Sequence, residues 1–263
     1  MDIQKAAVQL AQAEKNKTPI PPFTSSAEAI SVEEAYGIQL LQIQKKLQQG
    51  AQIKGLKIGL TSKVMQDMFN VRTPDYGHIL DSMVYSEDKA VNTEEFIQPK
   101  VEFEIAFILK DDLQGPGVTV EDVLAATDYV VPAIEIIDSR IENWQFKFED
   151  TVADNGSSAG AVLGTKRTSP TAVDLAAVEM TVYRNGEVFD SAKGEAVMGH
   201  PAKAVAWLAN AVAEYGITLR AGYFILAGAL SKAVPFEADD SFKADFGELG
   251  EVAISFVREG EKV

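Results

Sequence analysis

The chain has 263 residues, 46% of them apolar, with 39 acidic against 24 basic side chains and a formal net charge of −15. A field of that sign repels polyanions, so nucleic acid is not an expected partner, and an enzyme for an anionic metabolite would need a local positive focus such as a metal ion or a lysine. No apolar stretch approaches the roughly eighteen residues of a membrane helix, no hydrophobic leader opens the chain, and there is no cysteine. Membrane association, disulfides, thiolate ligands and cysteine nucleophiles are therefore not expected, and a cytoplasmic location is.

In chain order, residues 1 to about 50 read as helices joined by an extended Thr18-Pro19-Ile20-Pro21-Pro22 connector. The second helix opens on Ser31, with Glu34 three positions on as a capping box, packs Ala35, Ile38, Leu41 and Leu47 on one face, and stops near Gly50. From about residue 53 the pattern changes to short strands: KIGL, FEIAFIL, YVVPAIEII, AGAVLG, MTVYR, EVF, YFILAG and VAISFV. Asn185-Gly186 predicts a tight hairpin between MTVYR and EVF. A short helix is predicted after Thr119, capped with Asp122, and a longer one from Pro201 to near Gly216 that buries Val205, Leu208, Ala209 and Val212.

The chemistry concentrates in carboxylates. Val101-Glu102-Phe103-Glu104-Ile105 alternates as a strand does, placing both glutamates on one face, and Glu135 sits within the apolar run Val130 to Ile137. A buried, unpaired carboxylate in such a run costs several kcal/mol. One reading is a hard cation, Mg2+ or Mn2+, bound by all three glutamates, because oxygen ligands without cysteine or histidine favour such ions. The other is a solvated sheet face, with Glu135 paired to an arginine such as Arg140. Lys57, between Gly55 and Gly59, could meet a carboxylate or simply be solvated. Thr73-Pro74-Asp75-Tyr76-Gly77 reads as a turn in which Asp75 caps backbone amides. Asp154-Asn155-Gly156-Ser157-Ser158 could offer donors to an anion or form an ordinary turn. His78 and His200 have no metal-site spacing, and His200 fits the start of the helix at Pro201. Walker A, Rossmann and G-x-S-x-G motifs are missing.

Taken together, KIGLTSK, PDYG, PKVEFEIAFIL, VVPAIEIIDSRIENW, DTVADNGSSAGAVLG, GHPAKAVAWLAN and ILAGAL resemble the 2-keto-4-pentenoate hydratase / 2-oxo-3-hexenedioate decarboxylase family of the fumarylacetoacetase-like superfamily, in the expected order from about residue 30 onward. The resemblance implies an α+β fold, a fumarylacetoacetase-like mixed β-roll or sandwich, with a helical region over 1–80 packed on a catalytic domain over 81–263, and usually a homo-oligomer. It maps metal ligands onto Glu102, Glu104 and Glu135, and catalytic groups onto Lys57 and Asp75. Asn155, Ser157 and Leu230 are expected to line the substrate pocket. The implied activity is hydration of a 2-hydroxy-2,4-dienoate, of the 2-hydroxypenta-2,4-dienoate type, to a 4-hydroxy-2-oxo acid in aromatic meta-cleavage catabolism. Decarboxylation of 2-oxo-3-hexenedioate is the alternative. Decarboxylases tend to carry T-S-W and to lack the aspartate, whereas this chain has Thr61-Ser62-Lys63 and Asp75. Acylpyruvate-type hydrolysis would require a further His-Glu pair, and no matching pair is present. A noncatalytic subunit of a hydratase and decarboxylase complex is the alternative of another class, and retention of all three glutamates weighs against it.

Overall fold

The protein is described by a computed structural model covering residues 1–25, 30–68 and 70–258. Two helices lead the chain. α1 (Ile3–Asn16) is capped by Asp2, whose carboxylate accepts from the Gln4 and Lys5 amides, and α2 (Val32–Gln48) by the reciprocal Ser31–Glu34 box. They pack through Ala6, Ala7, Leu10, Ala35 and Ile38, and at the last turn of α2 the contact is Lys46 with Glu14 at 2.8 Å, whereas Leu47, expected on the packed face, is 38% exposed.

Among the described residues thirteen strands follow, with four more α-helices among them. They are β1 (Ile53–Gly59), α3 (Lys63–Met68), β2 (Asp75–Leu80), β3 (Val84–Tyr85), β4 (Val91–Asn92), β5 (Pro99–Leu109), α4 (Val120–Ala126), β6 (Thr127–Asp138), α5 (Phe148–Ala153), β7 (Ser158–Leu163), β8 (Glu179–Arg184), β9 (Glu187–Lys193), α6 (Pro201–Val212), β10 (Phe224–Leu226), β11 (Val234–Pro235), β12 (Ser241–Asp245) and β13 (Glu251–Val257). The larger sheet runs β2-β1-β10-β5-β6-β7-β3, with β11 also on β5. The smaller runs β4-β13-β12-β8-β9. Residues 53–80, grouped with the helices in the division expected from the sequence, supply two strands of the larger sheet.

The larger sheet curls until β2 touches β7, although four strands separate them in the order. Its inner face explains the curl. Ala106, Val131, Ala133, Ala161, Ile79, Phe224 and Leu226 form one small buried cluster there, and three of the seven are alanines, which lets opposite walls approach. The outer face carries larger side chains, among them Phe103, Ile105, Phe107, Ile134 and Ile136. These join Phe242, Ile254 and Phe256 of the smaller sheet, and Val205, Leu208, Ala209 and Val212 of α6, in the main core. Local signals behave as their chemistry requires. Asn185 (φ 52°) and Gly186 (φ 84°) are both left-handed in the β8–β9 turn, matching a primed hairpin, and His200 caps α6 by accepting from the Ala202 amide at 3.1 Å.

Candidate active site

Alternation along β5 sends Val101, Phe103 and Ile105 outward and Glu102, Glu104 and Ala106 inward. Glu135 faces Glu102 directly across the β5–β6 ladder. One oxygen from each of the three glutamates lies within 4.8 Å of the others, with Glu104 and Glu135 buried and Glu102 partly exposed. This is a rim site in a roll whose interior beyond it is apolar.

Lys57 arrives on the neighbouring wall from β1, buried, with Nζ 3.6 Å from Glu135 Oε1. Arg140, considered as Glu135's partner from the sequence, is engaged elsewhere: its Nε donates to Asp154 Oδ1 at 2.6 Å. It lies beyond the end of β6. Asp75 is not in a turn. It is the first residue of β2, set opposite Gly59, and is buried. Its Oδ2 accepts from the Thr151 hydroxyl at 3.5 Å. Gly59 is required by this seating, since a Cβ there would stand 2.1 Å from Asp75 Oδ1 and 3.2 Å from Lys57 Nζ. The lysine and the aspartate therefore converge on one small space.

Four carboxyl groups and one ammonium occupy this rim, and the imbalance is visible atom by atom. Glu104 Oε2 accepts from the Gly228 amide at 2.7 Å, but Glu104 Oε1, both oxygens of Glu135 and Asp75 Oδ1 are buried without a hydrogen-bond partner among the described residues. The consequence is electrostatic. Burial, and then the charges of Glu135 and Glu102, hold the Glu104 carboxyl well above its ordinary range. Burial, only partly offset by Lys57, pushes Glu135 up to about 8 and raises Glu102 and Asp75 as well. Burial works against a charged Lys57, but Glu135 and the other acids outweigh it and raise its affinity for its proton. Orphaned, converging carboxylate oxygens without nitrogen or sulfur donors fit a hard divalent cation.

Of the three residues expected to line the pocket, Asn155 and Ser157 flank Gly156, which packs on Lys57, and Leu230 belongs to the main core. Asn155 is held to β2: its Oδ1 accepts from the His78 amide at 2.8 Å and its Nδ2 donates to the His78 carbonyl at 2.9 Å. Ser157 is buried 3.4 Å from Asp154 Oδ2, and between the two residues Gly156 (φ +60°) packs on the Lys57 side chain, where a Cβ would sit 3.4 Å from Cδ. Leu230 is buried, its amide donating to the Phe103 carbonyl, two residues after Gly228 meets Glu104. Thr151 and Gly59 were not singled out from the sequence, although both lie in segments that carry the family resemblance, and Gly228 was marked only as part of the Ala227–Leu230 stretch expected to line the pocket. His78 is buried on β2, pushed down to about 4 by burial, and so remains neutral.

A curled β-roll with an acidic cluster and a lysine at its rim defines a class of enzyme scaffold rather than a single activity. Residues 62–257 match the fumarylacetoacetate (FAA) hydrolase C-terminal family, and the chain belongs to that family. It is 46% identical over 256 residues to 2-hydroxyhexa-2,4-dienoate hydratase of Comamonas testosteroni, covering 97% of each chain. It is 38% identical over 251 residues to 4-oxalocrotonate decarboxylase of Pseudomonas sp. (strain CF600), covering 95% of each. Among solved structures it matches 4-oxalocrotonate decarboxylase from Pseudomonas putida G7, complexed with magnesium and adipate, with a TM-score of 0.94, 37% identity and 97% of both chains covered. No helix among the described residues is long and apolar enough to cross a membrane.

Proposed function

We propose that this chain is a divalent-metal-dependent lyase that adds water to a 2-hydroxy-2,4-dienoate, giving a 4-hydroxy-2-oxo acid in the breakdown of aromatic ring-cleavage products. The observation that carries it is the set of orphaned oxygens on Glu104 and Glu135 beside Glu102, with Lys57 and Asp75 meeting over Gly59. Glu102, Glu104 and Glu135 would hold Mg2+ or Mn2+. When bound, that ion supplies the positive charge that draws in a 2-oxo acid and stabilises its enolate form.

The overall change is balanced within substrate and water. The 2-hydroxyl proton leaves as C5 gains one, producing an enone whose C4 is electrophilic. Water oxygen then joins C4 and a proton joins C3. Lys57, held protonated by the surrounding acids, neutralises the substrate's negative charge and can return a proton to carbon. Asp75, seated by Thr151 and the Gly59 backbone, takes the proton that water loses. Burial at the rim keeps both groups clear of bulk water, where their charges would be screened.

A second reading is decarboxylation of a 2-oxo-3-enedioate, favoured by the likeness to 4-oxalocrotonate decarboxylase over nearly the whole chain. Asp75 supports hydration, since a base that activates water is superfluous to loss of CO2, and Thr61-Ser62-Lys63 in place of T-S-W points the same way. The deciding assay gives the purified protein Mg2+ and either freshly generated 2-hydroxypenta-2,4-dienoate or 2-oxo-3-hexenedioate. Hydration predicts loss of dienoate absorbance. Release of CO2 from the dioate without turnover of the dienoate would overturn it.

A further inference from the structure

β2 is the terminal strand of the roll, paired on one side with β1 and, among the described residues, with no strand on the other. Two side-chain amides occupy that open edge instead. Asn155 binds both backbone groups of His78, and Gln39, from the middle of α2, donates Nε2 to the Tyr76 carbonyl at 3.0 Å. The same Nε2 donates to the Val152 carbonyl at 2.9 Å. Tyr76 adjoins Asp75, and Val152 adjoins Thr151, whose hydroxyl donates to Asp75. One fully buried amide thus ties together the two segments that place the aspartate and its hydrogen-bond donor.

Gln39 is held for its donors. Its Oε1 is buried with no hydrogen-bond partner among the described residues, and turning the amide over would set that oxygen against two carbonyls, so only one orientation is allowed. Three residues earlier, Tyr36 stacks on Tyr76 with ring centroids 4.7 Å apart, so α2 grips β2 twice at the residue after Asp75. The tolerance at Asp75 is small, as the close approach to Gly59 requires. Gln42, one turn on, provides a contrast: its Nε2 donates to the Ala153 and Ile38 carbonyls, anchoring α2 to α5 without touching β2.

We infer that Gln39 is a positioning residue that acts through Asp75, making the N-terminal helix part of the catalytic apparatus. This rests on the proposed hydration. The test is kinetic coupling in the full-length, Mg2+-loaded protein. Gln39→Met, which keeps the side chain's length and removes the donor, lowers kcat on 2-hydroxypenta-2,4-dienoate by about tenfold, while KM and the Mg2+ affinity stay within about twofold. In an Asp75→Asn background the same substitution changes the residual kcat less than about twofold, because the group it positions is already lost. If Asp75→Asn is too slow for a steady-state assay, its residual rate is read with enzyme in excess over substrate, where the same lack of effect is expected. Gln42→Met leaves kcat unchanged. An equal loss in both backgrounds, an equal loss from Gln42→Met, or no loss from Gln39→Met would each overturn the inference. If Gln39→Met does not fold, Gln39→Asn, too short to span both carbonyls, takes its place with the same expected coupling. Absence of dienoate turnover by the unmodified protein would instead overturn the reaction, and an unimpaired Asp75→Asn would overturn the role of Asp75 and this inference with it.

Discussion

Two clusters of buried charge stand at either side of the 154–158 loop, and they are built on opposite terms. Around Arg140 each guanidinium nitrogen is answered. Nε meets Asp154 Oδ1, Nη1 meets the carbonyls of Asp138 and Ser158, and Nη2 meets the carbonyl of Asp154. Asp154 Oδ2 in turn accepts from the Arg140 amide at 3.0 Å and has the Ser139 and Ser157 hydroxyls 3.4 Å away. Around Lys57, buried oxygens on Glu104, Glu135 and Asp75 have no hydrogen-bond partner among the described residues. A saturated network is what a fold needs from a buried charge, and unmet demand is what a site for a cation and substrate leaves in place. Burial alone does not distinguish them, since Arg140 and Lys57 are similarly hidden.

The sharpest break in this contrast comes from the unsaturated side. Glu104→Gln should reduce metal-dependent turnover to background, a loss of about 10^3-fold or more, and weaken Mg2+ binding by titration calorimetry. Unchanged activity and affinity would remove Glu104 from the ligand set. Lys57→Met should separate the two roles of the cluster. Turnover falls by about 10^2-fold, but Mg2+ binds more tightly, because the ammonium that competes for Glu135 is gone. Weaker binding would show that Lys57 organises the carboxylates rather than competing with a cation for them.

On the saturated side the expected effect is on stability. Arg140→Met strands Asp154 in the interior and should cost about 3–5 kcal/mol by urea denaturation, with Mg2+ affinity of the folded protein retained. A loss below about 1 kcal/mol would mean that solvent reaches the pair and that the contrast is overstated.

How far this was legible in the sequence follows from range. The pairing of Glu102 with Glu104 is a two-residue period and was readable. That Glu135 lies opposite Glu102 is a matter of β5–β6 register across an intervening helix, and no local pattern encodes it. The same limit misassigned Arg140: it is five residues from Glu135 in sequence, yet Glu135's cation comes from β1. β2 was hidden because Thr73-Pro74 imitates a turn and Gly77 breaks the apolar run. Gly77 is small for a tertiary reason, as a Cβ there would stand 2.2 Å from the Asn155 carbonyl oxygen. β12 was missed because Ser241–Asp245 is short and half polar, alternating with only Phe242 and Ala244 buried. The resemblance to the hydratase and decarboxylase family supplied what periodicity could not, but it did not reveal Gln39, whose role depends on two carbonyls 37 and 113 residues away.

The smallest effect tests whether the unmet demand is electrostatic. Without metal, Glu135 takes up its proton with a midpoint near 8, against 4.5 for an unperturbed glutamate, so between those values the folded chain holds a proton that the unfolded chain has released. Stability without metal therefore declines as pH rises from about 4.5 to 8. Glu104, raised in the same direction, adds to the decline. A cation binds the carboxylate forms, so its binding at pH 7 must expel protons, and the thermal stabilisation it confers must grow from pH 6 to pH 8. Calorimetry in buffers of different ionisation enthalpy counts those protons. Release on the order of one to two protons per ion is expected, from Glu135 and Glu104 together, whereas binding with no proton release would mean that the carboxylates are already ionised and that solvent meets the demand.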